Sequence, residues 1–499
     1  MATFTVGGPT GQTLYPFWTV MNCNGPHRFL DAGYADALPV ERPFIREVNA
    51  VYLLGGRRPG VNAWYRGRRP DGGIAADFEG LIAQLKAMLD RGLTPRPVLD
   101  NVPYEMSDPP ADHAFGNTAP PADESVWEAY VEAALRAMVR AFGRERVGRW
   151  WFRAGTEPDL SPDHWSGTRA QALEHYRRTA AAFERVLPEG RLGPGNVLNP
   201  VGNEYGREKF HEWGLDFFDY CAEHDVRLDW FSCSWYAQVG VSADYFDRAV
   251  AMIRERACRH ARFRDTPLAI GEFAILYDED WRRLYDGEAS EWGASFYAAL
   301  ARRVYDRGIA DVYEWAQTTR GVWHPRAQAI AWLAEMSGGE RLAVRHRDRS
   351  DLDNGILAAR RGDALILLLF NHHAHREPPV AEVFDVTVAE PRVRAGQVWR
   401  LDADYLDRDH GVWVRDFEAD AAAAGIAPLA GSGRYEGSPA RRFGPRGEAL
   451  FRERIETYRA LSRPARAPAE RIAAEADGRL RFRVEMPGLS VRRLRLTPG

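Results

Sequence analysis

Eight short apolar runs, separated by longer stretches of helical spacing, constrain this chain more than any other feature. The runs are residues 16–25 (PFWTVMNCNG), 48–56 (VNAVYLLGG), 94–103, 150–158 (WWFRAGTEP), 191–198, 228–237, 267–275 and 312–318. Residues 80–92, 126–142, 169–187, 209–224, 244–260 and 291–308 lie between them and place apolar side chains at three- and four-residue steps, as Leu81, Leu85, Met88 and Leu89 do. Short strands alternating with such helices are parallel βαβ units. Eight units within residues 16–336 predict an α/β chain built on a closed (β/α)8 barrel, whose core takes about 250 residues.

The period changes after residue 337. Residues 355–373 read as two strands joined by a turn at Arg361, Gly362 and Asp363. Strands are also expected at 384–391, 396–406 and 478–496, the last alternating apolar and polar residues as half-buried antiparallel strands do. Residues 448–465 read as a helix and 463–478 as a polar connector. The expected division is therefore a catalytic barrel over residues 1–336 and a β-sandwich over 337–499 with one helical insertion.

Composition narrows the function classes. The net charge is −4 over 499 residues, and the basic residues are scattered arginines, with lysine only at 86 and 209. Such a surface argues against nucleic acid or an anionic membrane as partner. No apolar run is long enough to span a bilayer. The opening MATFTVGGPTGQTLY lacks a basic and an apolar region of the signal-peptide type, so a cytoplasmic location is expected. Cys23, Cys221, Cys233 and Cys258 fit no metal spacing and are expected to be free thiols. The run Asn371, His372, His373, Ala374, His375 has no acidic or cysteine partner at fixed spacing and reads as a solvated loop far from the barrel mouth. No phosphate-binding glycine loop and no serine elbow follows a strand. The 16 tryptophans, mostly core, include candidates for stacking on a sugar ring.

In a (β/α)8 barrel the chemistry sits at the C-terminal ends of the strands. Strand one ends near Asn22, Asn24 and His27, and strand three at Asp100 and Asn101. Strand four ends at Thr156 and Glu157, strand six at Ser234, Trp235 and Tyr236, and strand seven at Glu272. Strand eight carries Glu314, Trp315 and Gln317. Glu157 and Glu272 are the candidate catalytic pair. Cleaving a glycosidic bond with retention needs one acid to protonate the leaving oxygen and one carboxylate to attack the anomeric carbon, about 5–5.5 Å apart. Such a pair supplies both roles without a cofactor or a metal. Thr156, Tyr236, Trp315, Asn101, His27, Ser234, Glu314 and His324 are the candidate substrate-binding residues, and a carbohydrate is the expected partner.

The chain resembles glycoside hydrolase family 39, the β-xylosidase and α-L-iduronidase group of clan A. Thr156-Glu157-Pro158-Asp159-Leu160 is similar to that family's fourth-strand Asn-Glu-Pro-Asn-Leu, and Trp165 to Thr168 to the loop that follows it. Gly271-Glu272-Phe273 matches its nucleophile strand, Ser232 to Tyr236 its sixth strand, and residues 485–496 its closing sandwich strand. The resemblance implies a retaining hydrolase with Glu157 as acid/base, Glu272 as nucleophile and Tyr236 orienting the nucleophile. Three positions depart from the family pattern. Thr156 stands for an Asn that binds the sugar 2-hydroxyl, Ser234 for a His, and Leu54 for a His before Gly55. A glycone other than plain xylose or iduronate is therefore expected. An arabinose-releasing or endo-acting clan A enzyme, and a sugar-binding protein without turnover, are the alternatives.

Overall fold

The computed structural model describes residues 2–201, 212–277, 289–347, 353–429 and 439–499. Eight parallel strands close into a barrel: Val20–Cys23, Glu47–Ala50, Thr94–Pro97, Trp151–Thr156, Arg191–Asn196, Phe231–Gln238, Leu268–Tyr277 and Ile309–Glu314. The eighth strand returns to the first through Tyr313–Val20 and Glu314–Met21. The fifth meets the sixth at a single bridge, Val197–Cys233.

The third and fourth strands also touch at one bridge, Val98–Arg153, and the sequence explains why. Thr94 and Val98 donate their N–H groups to the second strand. The intervening N–H positions that would face the fourth strand fall on Pro95 and Pro97, which have none. Contact resumes at Leu99, whose N–H donates to the Arg153 carbonyl at 2.8 Å.

Helices Glu79–Leu89, Glu124–Phe142, Arg169–Val186, Asp216–Glu223, Asp244–Cys258, Glu291–Arg307 and Pro325–Met336 cover the barrel. The first six coincide with the periodic stretches, although residues 209–211 of one expected helix lie outside the described residues, and Pro325–Met336 is a further helix that the periodic stretches do not include. Helix Arg169–Val186 begins with a capping box between Thr168 and Gln171. Below the mouth the barrel interior is filled by Val20, Trp230, Ala269 and Tyr313. Arg96 runs through this layer, its guanidinium paired with Glu47, Asp311 and the Tyr313 hydroxyl.

The second sheet differs from expectation at its N-terminal side. Strand Ala2–Thr13, assigned to the barrel by position, pairs antiparallel with Glu340–His346 and parallel with Glu382–Val388. Its alternation of Ala2, Phe4 and Val6 inward explains the choice, because these side chains join Leu365, Leu367 and Leu369 in the sandwich core. Strand Ala364–His372 is buried on both faces, since Ile366, Leu368 and Phe370 pack toward the barrel helices. That accounts for its unbroken apolar run. The turn after Arg361 holds Gly362 at φ +58.

The helical insertion is larger than predicted: Val414–Ala423, Gly444–Glu453 and Ile455–Leu461 pack around Trp413 and reach Val322 of the eighth barrel loop. The connector at 463–478 contributes short strands Ala465–Arg466 and Glu470–Ala473 beside Val398–Leu406. The histidine run is not a solvated loop. His372 is buried edge-on against Trp292 and bonded to Ser295, His373 accepts from the Val380 N–H, and Ala374 receives the Gly240 N–H and the Trp292 indole. It therefore ties the sandwich to the turn after strand six and to the start of helix Glu291–Arg307.

Phe4 stacks on His346 at 4.4 Å and contacts Phe384. Phe4→Ala should cost about 3–5 kcal/mol, read as a lowered urea midpoint. An unchanged midpoint would refute the place of the N-terminal strand in the sandwich core.

Candidate active site

Glu157 stands where the fourth strand turns away, at φ +41, a backbone region unusual for a residue with a Cβ. Its N–H donates to the Asn196 carbonyl at 2.6 Å. Asp159 secures the same turn from beyond Pro158, accepting the Leu198 N–H at 3.0 and 3.1 Å. Gly195 permits the close approach of the fifth strand, because a Cβ there would lie 2.9 Å from Pro158. Stretch 153–160 thus couples a strand end to a loop clamped on the neighbouring strand.

Glu157 and Glu272 are both buried at this end of the barrel. The Ser234 hydroxyl, itself held by the Asn196 amide, donates to Glu157. His164 places Nε2 3.5 Å from the other Glu157 oxygen, and its ring stacks on Phe115 at 4.1 Å. Burial, with the nearby Arg153 and Arg57, lowers His164 to about 3, so the ring is neutral. Glu272 accepts from the Tyr236 hydroxyl at 2.5 Å and has Arg153 Nη2 at 3.7 Å.

These surroundings separate the two acids. Burial raises the Glu157 carboxyl well above the ordinary range, and the charge of Glu272 adds to the rise. Glu272 is raised by burial too, but Arg153 and the Tyr236 hydroxyl pull against that rise. The surroundings of the pair therefore favour the proton on Glu157 over Glu272.

The expected substrate-binding residues divide into three groups. Trp315 is half-buried at the end of strand eight, and its ring stacks on no other aromatic ring among the described residues. His27 is exposed on the rim in the turn Pro26–Leu30. Tyr236 and Ser234 meet the carboxylates directly. Thr156 and Asn101 are engaged by protein: Thr156 donates to Asp100 at 2.9 Å and accepts from Arg153 at 3.0 Å, while the Asn101 amide donates to the Phe115 carbonyl. Both line a cavity of about 40 Å3 shared with Asp100 and His164.

Glu314 and His324 are corrections. Successive strand residues face opposite ways. Tyr313 points into the barrel, so Glu314 points out, where it pairs with Arg326 and accepts from the Tyr297 hydroxyl between two helices. His324 is buried in the eighth loop, bonded to Thr319 and near Trp413. Leu54, at the position of a family histidine, lies in the hydrophobic core.

Sequence reasoning missed Arg153, and Asp100 entered it only as a strand end. The signal for Arg153 was present: a lone arginine inside the apolar run WWFRAG is buried only if something compensates its charge.

The family model for Glycosyl hydrolases family 39 matches residues 8–313, well over half of the chain. An alpha-1,4-L-rhamnosidase of Formosa agariphila is 24% identical over 211 residues, 41% of this chain and 41% of that protein. A beta-xylosidase of Caldicellulosiruptor saccharolyticus is 24% identical over 172 residues, 34% of this chain and 33% of that protein. The aligned region thus spans at most about two-fifths of these relatives' length. The crystal structure of the GH39 enzyme from Xanthomonas axonopodis pv. citri has a TM-score of 0.73 at 17% identity, covering 100% of this chain and 97% of that chain, which shows a common fold.

Glu314→Gln should cost about 3–5 kcal/mol in chemical unfolding, because it leaves the Arg326 charge buried without its partner. Glu157→Gln replaces a buried carboxyl whose charged form is disfavoured beside Glu272 and should leave stability unchanged or raise it. The reverse ranking would show that Glu314 is not structural.

Proposed function

Because the chain belongs to glycosyl hydrolases family 39, we propose that it hydrolyses the glycosidic bond of small glycosides or oligosaccharides with retention of anomeric configuration. The observation that carries this reading is the pair of buried carboxylates on strands four and seven, held in unlike surroundings. In the first step a Glu272 oxygen attacks the anomeric carbon as its bond to the leaving oxygen breaks. That oxygen takes the proton from Glu157. In the second step Glu157, now a carboxylate, removes a proton from water. The water oxygen bonds the anomeric carbon and Glu272 leaves as the anion. The Tyr236 hydroxyl orients Glu272 for both steps.

The glycone differs from plain xylose or iduronate. The Thr156 hydroxyl is engaged by Asp100 and Arg153, Ser234 by Glu157 and Asn196, and Leu54 is in the core. Two of the three family contacts to the sugar are therefore replaced by protein–protein hydrogen bonds and the third by an apolar core side chain. Trp315 is the candidate stacking face for the sugar, and His27 a candidate contact at the rim.

A panel of nitrophenyl glycosides, including α-L-rhamnosides, β-xylosides and α-L-arabinosides, should give turnover of at least one that Glu272→Gln abolishes. Proton NMR of the first-released sugar should show the substrate's anomeric configuration. Inversion would overturn the mechanism, and sugar binding without any turnover would favour a carbohydrate-binding role. Ser234→Ala removes a hydrogen bond that favours ionised Glu157. It should move the basic limb of the kcat/KM profile up by about one pH unit, because the acid form then survives to higher pH.

A further inference from the structure

Two arginines cross the barrel interior, and they are held differently. Every guanidinium nitrogen of Arg96 has a partner, Nε and Nη2 on Glu47 and Nη1 on Asp311 and the Tyr313 hydroxyl. Arg153 is as deeply buried, at 1% exposure, yet its hydrogen bond goes to a neutral hydroxyl, that of Thr156 at 3.0 Å. Its Nε and Nη1 meet no hydrogen-bond partner among the described residues. Each unpaired buried N–H is costly, so the charge of Arg153 has to be compensated by the carboxyls around it. Arg153 is placed by its charge. Glu272 lies 3.7 Å away, and Asp100 is bridged to it through Thr156. Asp100 is itself held by the Tyr52 N–H at 2.7 Å.

We propose that Arg153 is the positioning residue of the nucleophile: its guanidinium, anchored by Thr156 and Asp100, holds Glu272 as the anion that attacks. This deepens the glycosidase reading and rests on it for its catalytic meaning. The groups facing Glu272 are Arg153 and Glu157 from strand four, Tyr236 from strand six, Asp100 from the end of strand three and Tyr52 from beyond strand two. Among them Arg153 is the one cation. Among the described residues, the three buried carboxyls Glu157, Glu272 and Asp100 therefore share this one cation, and Arg153 sits next to Glu272, with Asp100 bridged through Thr156. The Asp100 carboxyl is raised to about 6 chiefly by burial, with Arg153 and Thr156 opposing the rise. The threonine before the acid/base thereby has a function of its own. Its one hydroxyl joins Arg153 to Asp100.

The test follows the Glu272 carboxyl directly, by 13C NMR titration of protein labelled at the glutamate side-chain carboxyl, with Glu272→Gln identifying the resonance. Loss of a cation favours the neutral acid, so Arg153→Met should raise the Glu272 midpoint by about one to three pH units. Arg153→Lys keeps the charge and should return the midpoint toward that of the unaltered protein. Thr156→Val keeps the shape, loses the anchor and should give a smaller rise. It also carries the test if Arg153→Met does not fold. An unmoved midpoint in the folded variants, or a Lys variant shifted as far as Met, overturns the proposal. Because the readout needs no turnover, it stays separate from the function. A raised midpoint in a protein that cleaves no glycoside sinks the glycosidase reading alone, and turnover with an unmoved midpoint sinks this one.

Discussion

Two carboxylates buried in one barrel mouth cannot both be charged at little cost, and most of the local architecture answers that problem. Glu157 is surrounded by a hydroxyl, a neutral imidazole and a turn that lifts it from the strand end. Glu272 faces a phenol and a guanidinium. One environment suits an acid and the other an anion, and the difference comes from partners on other strands. Ser234 and Tyr236 lie two residues apart on strand six, so the same strand face serves both carboxylates.

The barrel below makes this possible by being stiff and paired. Its interior cation Arg96 is fully bonded, and Trp230 and Tyr313 fill the space around it. Prolines at 95 and 97 thin the contact between strands three and four just before Asp100 and Arg153 come together. The accessory sheet adds support from outside. Its strand Ala364–His372 packs on the barrel helices, and the residues after its end hold the turn after strand six and the start of helix Glu291–Arg307.

Where the sequence misled, a single strand or loop shows why. Strand Ala2–Thr13 precedes the barrel in the chain but joins the distant sheet, because chain order does not specify which apolar face a strand will cover. Glu314 ends its strand whereas Glu272 lies within its own, and Glu314 points outward because its neighbour Tyr313 points into the barrel. His324 is expected at the substrate and the 371–375 run in a solvated loop, yet His324, His372 and His373 are buried packing groups under the helical insertion and the sandwich.

The sequence by itself determined the eight strand–helix units, the sandwich strands and the two glutamates at strand ends, since periodicity and strand position are local and survive without a partner. Only the tertiary structure decided that Thr156 would turn to Asp100 and Arg153, that Ser234 would serve Glu157, and that Glu314 would be neutralised by Arg326. Each of these depends on which side chain from a remote strand arrives within hydrogen-bonding distance. That is set by barrel closure and stagger, and no stretch of the chain encodes it alone.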